Sequence, residues 1–171
     1  MAKIYISLGS NINRQHYIEQ GLDALTALYG PLTLSSLFES AAVGFAGKAF
    51  YNMVVGAQTE HTLSQVASAL RTIEFANGRC QNAKKFSPRT LDLDLLLYDQ
   101  IIADAPAQIP RDEITQNAFV LWPLAEVAPQ LVHPILGKSY QQLWQAYDKS
   151  QQQLTKVPLT WARKNKEVTL K

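Results

Sequence analysis

With 171 residues, 47% of them apolar and 18% charged, the chain has the size of one compact domain and enough apolar material to bury a sizeable core, which excludes a disordered polymer. Its one cysteine, Cys80, excludes a disulfide framework and, with three scattered histidines, cannot build a zinc site. The net charge of +2 hides an asymmetry: residues 149–171 hold six basic groups against Glu167, so residues 1–148 are net acidic and carry no nucleic-acid footprint.

Lys3 to Leu8 alternates as a strand does, and Gly9-Ser10-Asn11 breaks the pattern as a capped turn. Ile18, Leu22, Leu25 and Leu28 recur at helical spacing until Gly30-Pro31 stops them. Leu32 to Phe38 reads as a second strand, Ser40–Lys48 as a loop with Gly44 and Gly47, and Phe50 to Ala57 as a third strand. Thr62 is an N-cap for a helix carrying Val66, Leu70 and Ile73, which ends near Asn77-Gly78. A polar loop from Arg79 to Pro88 precedes a fourth strand, Leu91 to Tyr98, and Ile101-Ile102 offers a short edge pairing. Phe119 to Val127 reads as a buried helix interrupted by Pro123, and Ser139 to Tyr147 as another. The order βαββαβ predicts a ferredoxin-like α+β sandwich, with helices on one face of an antiparallel sheet. Residues 1–148 form the expected domain and 149–171 a basic, solvated tail. No apolar run approaches the roughly 18 residues of a membrane span, and Lys3 precedes too short an apolar stretch for a secretory signal. A cytoplasmic location, without membrane or nucleic-acid partners, is expected.

The chemistry lies in Pro88-Arg89-Thr90-Leu91-Asp92-Leu93-Asp94. On a strand the side-chain period is two, so Asp92 and Asp94 share one face while Leu91, Leu93 and Leu95 take the other. Paired carboxylates are either a wetted acidic face or a seat for a hard cation, of which Mg²⁺ is the natural one. Arg89 and the basic Lys84-Lys85 add groups that reach for phosphate, completing the parts of a phosphoryl-transfer site. Elsewhere the plainer reading holds. His16, His61 and His133 lack ligand spacing, Cys80 has no partner for nucleophilic catalysis, and Trp122 and Leu124 sit in an apolar run as core residues.

Five segments in order carry a resemblance. They are Tyr5-Ile6-Ser7-Leu8-Gly9-Ser10-Asn11, Tyr51-Asn52, Glu74 with Gly78-Arg79, Pro88 to Asp94, and Phe119 to Leu124 with Glu126 and Pro129. From Tyr5 to about Trp144 the chain resembles the 6-hydroxymethyl-7,8-dihydropterin pyrophosphokinases of folate biosynthesis. The resemblance implies the ferredoxin-like fold, a monomer, ATP and the dihydropterin as substrates, and two Mg²⁺ ions held by Asp92 and Asp94. It implies charge stabilisation by Arg79 and Arg89, ATP contacts from Glu74, Lys85, Arg89 and Arg111, and pterin contacts from Val43, Tyr51, Asn52 and Phe119. The chain departs from the family pattern at Gln81, Phe86-Ser87, Arg111 and Asn117, where members usually carry arginine, Trp-Gly, histidine and arginine. These departures leave open a paralogue that binds pterin or nucleotide with weak or no turnover. A nuclease on the same sheet is disfavoured by the acidic body.

Overall fold

The computed structural model describes residues 1–40, 48–79, 90–161 and 169–170. In chain order the elements are β1 (Ala2–Ser10), α1 (Arg14–Tyr29), β2 (Thr33–Leu34), β3 (Leu37–Ser40), β4 (Phe50–Thr59), α2 (Leu63–Ala76), β5 (Asp92–Tyr98), α3 (Glu113–Gln116), α4 (Ala118–Val127), α5 (Tyr140–Ala146), β6 (Leu154–Val157) and β7 (Thr169–Leu170). Strand β1 is largely buried on both faces and takes the sheet interior, paired antiparallel with β4 on one side and β5 on the other. The path β5-β1-β4-β2-β7 is antiparallel except for the final β2–β7 pair, and β3 joins the same side of β4 and carries β6. This is the expected α+β sandwich.

Period-two alternation divides the core. Ile4, Ile6 and Leu8 of β1, Met53 and Val55 of β4, and Leu91, Leu93 and Leu95 pack under Ile18, Leu22 and Leu25 of α1 and Val66 and Leu70 of α2. The opposite face carries Tyr5 and Val54, which pack with Val120, Leu121 and Leu124 of α4 and Tyr140 of α5. The sheet is therefore covered on both faces rather than the one expected, because β1, β4 and β5 present apolar residues to both sides. The α4–α5 cover is partial, and the bare part of that face becomes the site.

Several local expectations are refined. The second strand is split in two at Ser35-Ser36, where Ser35 Oγ accepts from Val54 N at 2.9 Å and Ser36 N donates to Glu126 Oε1 at 2.7 Å. Short hydroxyl side chains compete for ladder bonds, and Glu126 of α4 holds the break open. Pro123 does not interrupt α4, although it provides no N–H to the Phe119 carbonyl one turn earlier. The edge pairing falls at Ala103 and Ile109, leaving Ile101 and Ile102 exposed. Thr62 and Ser139 both form capping boxes, with Gln65 and Gln142.

One register shift extends the apolar face of β5. Tyr5 faces Leu97 but Ile6 faces Leu95, so Leu96 is a bulge residue without an opposite number. Leu96 and Leu97 both enter the second core, and Tyr98 swings back so that its hydroxyl donates to His61 O at 2.6 Å. Part of the stretch expected as a solvated tail adds to the sheet. Strand β6 pairs with β3, and Trp161 Nε1 donates to Asp23 Oδ1 at 2.9 Å. Among the described residues no helix is long and apolar enough to cross a membrane.

Candidate active site

Sheet register assembles the floor of a cleft. Gly9 lies opposite Asp92 on one neighbour and Asn52 on the other, so one row across three strands reads Asp92, Gly9, Asn52. The next row on this face reads Asp94, Ser7, Val54. Gly9 leaves the space above the sheet clear, since a Cβ there would crowd Asn52 Oδ1 at 3.1 Å. The floor between carboxylate and carboxamide therefore stays open. Above it is a cleft of about 620 Å³, walled by Arg71 and Glu74 of α2, by Glu113 and Gln116 of α3, and by Asn117 and Phe119 at the start of α4.

The acids are tied to two arginines. Arg79 Nη1 donates to Glu74 Oε2 at 2.8 Å and Asp92 Oδ1 at 3.2 Å, and Arg111 Nη2 meets Asp94 Oδ1 at 3.2 Å. Arg79 reaches both acids because the chain turns back after α2 through Gly78, whose φ of 92° suits glycine, and Arg79 N then bonds Glu74 O. Glu74 also closes the sheet edge: β5 is terminal, and the Leu93 N–H donates to Glu74 Oε2 at 2.9 Å. Arg111 is anchored by its own N–H on the carbonyl of the bulge residue Leu96, and its Nε approaches Glu113 Oε1 at 3.4 Å.

Electrostatically the site is under tension. Burial, then the neighbouring Asp92 charge, pushes Asp94 up to about 8, with Arg111 pulling the other way. Burial pushes Glu74 up to about 7; the Leu93 amide opposes the rise and Asp92 adds to it. Burial works to lower the Arg111 pKa, but Asp94 and Glu113 outweigh it and hold the guanidinium above its usual value. A carboxyl raised in the folded state keeps a proton that the unfolded chain releases. Its stabilising contribution is full below the ordinary carboxylate pKa, about 4, and is lost as pH rises toward 8. The metal-free protein is therefore expected to melt at lower temperature as pH rises from about 5 to 8. Asp94→Asn should flatten that slope, which melting curves across this range will read; an unchanged slope would remove Asp94 as its source.

The donors fit a hard divalent cation. Asp92 and Asp94 are side by side and still 33% and 23% exposed, so both can be reached from the cleft. Two carboxylates facing an open cleft leave coordination positions for other ligands. That suits Mg²⁺, which combines one or two carboxylates with phosphate oxygens and water.

Of the residues singled out in the sequence, Asp92, Asp94, Glu74, Arg79, Arg111, Asn52 and Phe119 converge on this cleft. Asn52 is buried and its Nδ2 donates to Ser40 Oγ at 2.8 Å. Tyr51 is not brought in. It occupies the opposite face of β4, where the Arg14 guanidinium lies 3.8 Å above its ring, because adjacent strand residues point to opposite sides. Val43, Lys85 and Arg89 lie outside the described residues, as do Gln81 and Phe86-Ser87. Ser40, Phe50, Arg71 and Glu113 also line the cleft and were missed. Phe50 had a signal, since it shares the parity of Asn52 on β4.

A carboxylate pair between two arginines, in an open cleft with an aromatic wall, has the parts of a metal-assisted phosphoryl-transfer enzyme. Residues 5–129 match the model of the 7,8-dihydro-6-hydroxymethylpterin-pyrophosphokinase (HPPK) family, and the chain belongs to that family. It is 32% identical over 141 residues to the 2-amino-4-hydroxy-6-hydroxymethyldihydropteridine pyrophosphokinase of Aquifex aeolicus, covering 81% of this chain and 88% of the relative. Over 137 residues it is 35% identical to the protein of the same name from Pseudomonas aeruginosa, covering 77% and 84%. A wild-type Plasmodium falciparum HPPK-DHPS crystal structure superposes with a TM-score of 0.69 at 13% identity, over 88% of this chain and 46% of that one. The chain thus spans less than half of that solved chain, and the likeness is one of fold.

Proposed function

We propose that this chain transfers the β,γ-pyrophosphoryl group of ATP to the hydroxymethyl oxygen of 6-hydroxymethyl-7,8-dihydropterin in folate biosynthesis. The new bond joins that oxygen to the β-phosphorus. The bond from β-phosphorus to the α-phosphate oxygen breaks with its electron pair, so AMP leaves, and the hydroxymethyl proton passes to solvent. The observation that carries this reading is the row Asp92–Gly9–Asn52. Strands lie about 4.8 Å apart, so the acid end and the carboxamide end of one open floor are about 10 Å apart. A triphosphate and a pterin can lie end to end on it.

Asp92 and Asp94 would hold two Mg²⁺ ions, which when bound polarise phosphoryl oxygens and offset the charge of the triphosphate. Arg79 and Arg111 already stand at these carboxylates and would turn toward phosphate oxygens, preorganised positive charge being worth most in a site that excludes water. Arg89 is assigned the same role from the family pattern, and Lys85 and Glu74 an ATP contact. Asn52 orients the pterin through its carboxamide, and Phe119 stacks on the flat ring. The described lining of the cleft comes from residues 7–120, so we assign the reaction to the body, residues 1–148, and take the protein as a monomer on the family resemblance.

The test is AMP formation from ATP with Mg²⁺ and the dihydropterin, beside calorimetric titration of each ligand. Phe119→Ala is expected to weaken pterin binding about 10–100-fold, the worth of one lost aromatic surface, and nucleotide binding hardly at all. Equal losses for both ligands would reduce Phe119 to a packing role. Binding of both ligands without AMP would favour a non-catalytic paralogue.

A further inference from the structure

The first turn of α4, which carries Phe119, is seated by burial of Val120 and Leu121 and by their amides on Asn117 O, but it lacks a side-chain cap. Asn117 stands at its N-cap, yet its side chain makes no capping bond to the helix. Pro123 withholds the N–H that would have tied the Phe119 carbonyl into the next turn. Further support comes from a connector 30 residues and more further along the chain. Tyr147 Oη donates to Gln116 O at 3.0 Å, Gln152 Nε2 donates to Asn117 Oδ1 at 2.9 Å, and Ala118 N donates to Gln152 Oε1 at 2.8 Å. Three successive residues, the last adjoining Phe119, are thus each gripped once. The Gln152 carboxamide replaces the missing cap by satisfying the orphan amide of Ala118.

The connector is fixed enough to act as a strut. Lys149 Nζ bonds Trp144 O at 2.8 Å at the end of α5, and Asp148 Oδ1 accepts from Ser150 N and Oγ in a tight turn. Just beyond Gln152, β6 is laddered onto β3, which ends at Ser40, the partner of Asn52. The same connector therefore links the aromatic wall of the cleft to the strand that supports its carboxamide.

We propose that Gln152 and Tyr147 are positioning residues for the pterin subsite: they set the start of α4, and through it the ring plane of Phe119. This rests on the reading of Phe119 as the pterin-stacking residue. Neither residue touches the floor of the cleft, and their effect on binding passes through Phe119.

The experiment is a double-mutant cycle on the full chain, titrating 6-hydroxymethylpterin and, separately, a non-hydrolysable ATP analogue with Mg²⁺, with a melting curve for each variant. Gln152→Ala removes two hydrogen bonds and is expected to weaken pterin binding about tenfold, leaving the nucleotide within about twofold. Tyr147→Phe keeps the ring stacked on Trp144 and removes one bond, so it should give a smaller loss of the same kind. In a Phe119→Ala background Gln152→Ala should cost no further pterin affinity, a result that general destabilisation would not give. Unchanged pterin affinity in both single variants, parallel loss of both ligands, or an undiminished loss in the Phe119→Ala background would each overturn the brace. If Phe119→Ala alone leaves pterin binding intact, the stacking reading falls and the brace falls with it. If Phe119→Ala weakens pterin binding while Gln152→Ala does not, the brace alone falls.

Discussion

On the proposed role of Asp92 and Asp94 in holding Mg²⁺, Asp94→Ala should abolish metal-dependent AMP formation, a fall of at least about 10³-fold, because losing one of the two carboxylates would forfeit several kcal/mol of charge stabilisation. The same substitution should not unfold the protein. Asp94 sits among acids with its pKa pushed up to about 8, so its ionised form is a burden on the metal-free fold. Arg111 keeps Glu113 as a partner after the change. Activity and stability should therefore move in opposite directions near pH 8: the variant loses turnover while its metal-free melting temperature holds or rises. Added Mg²⁺ should raise the melting temperature of the wild-type chain at that pH and leave the variant's unchanged. Metal-dependent turnover surviving in Asp94→Ala would end the assignment of this carboxylate.

Arg79→Ala is expected to lower turnover by about 10²–10³-fold, the usual cost of one preorganised donor at a developing charge. Arg79 bridges Glu74 and Asp92 from a single nitrogen, so its loss also leaves the buried Glu74 without its cation. A fall in melting temperature is expected too, and it must be separated from catalysis. Glu74→Gln in the same chain removes the stranded charge and keeps an oxygen to accept the Leu93 amide. The double variant should recover stability but not turnover. Single-turnover AMP formation measured beside equilibrium binding should place the loss in the chemical step rather than in ground-state affinity. Recovery of turnover with stability would make Arg79 a structural residue.

Much of the site was legible because its signals are local. The parity of Asp92 and Asp94, the Thr62 cap and the apolar stripe of α2 need only a strand or helix period to be read. Tyr51 shows the cost of ignoring that period: it stands beside Asn52 in sequence and so on the far face of β4, while Phe50, one residue earlier, lines the cleft. Arg111 was visible as a charge that departs from the family pattern, but nothing local pairs it with Asp94, 17 residues back; the return along the β5 edge and the bond to Leu96 O do so. Pro123 was read as a break because a missing donor usually ends a helix. Burial of Val120, Leu121 and Leu124 against the sheet outweighed that loss.

The sequence by itself determined the main elements, β1, α1, β4, α2, β5, α4 and α5, and which of their residues share a face, since 3.6- and two-residue periods, caps and glycine breaks act within a few bonds. It also carried the family, through motifs whose order survives without coordinates. Tertiary structure alone decided the pairings across the chain. Gly9 became the open floor only when β1 registered between Asp92 and Asn52, and the Leu96 bulge put Leu97 beside Leu96 in the second core and returned Tyr98 to the first. Part of the stretch expected to be a solvated tail became sheet and strut because β3 offered an unpaired edge to β6. Such pairings depend on closing loops of tens of residues, whose free energy is set by packing and register rather than by local preference.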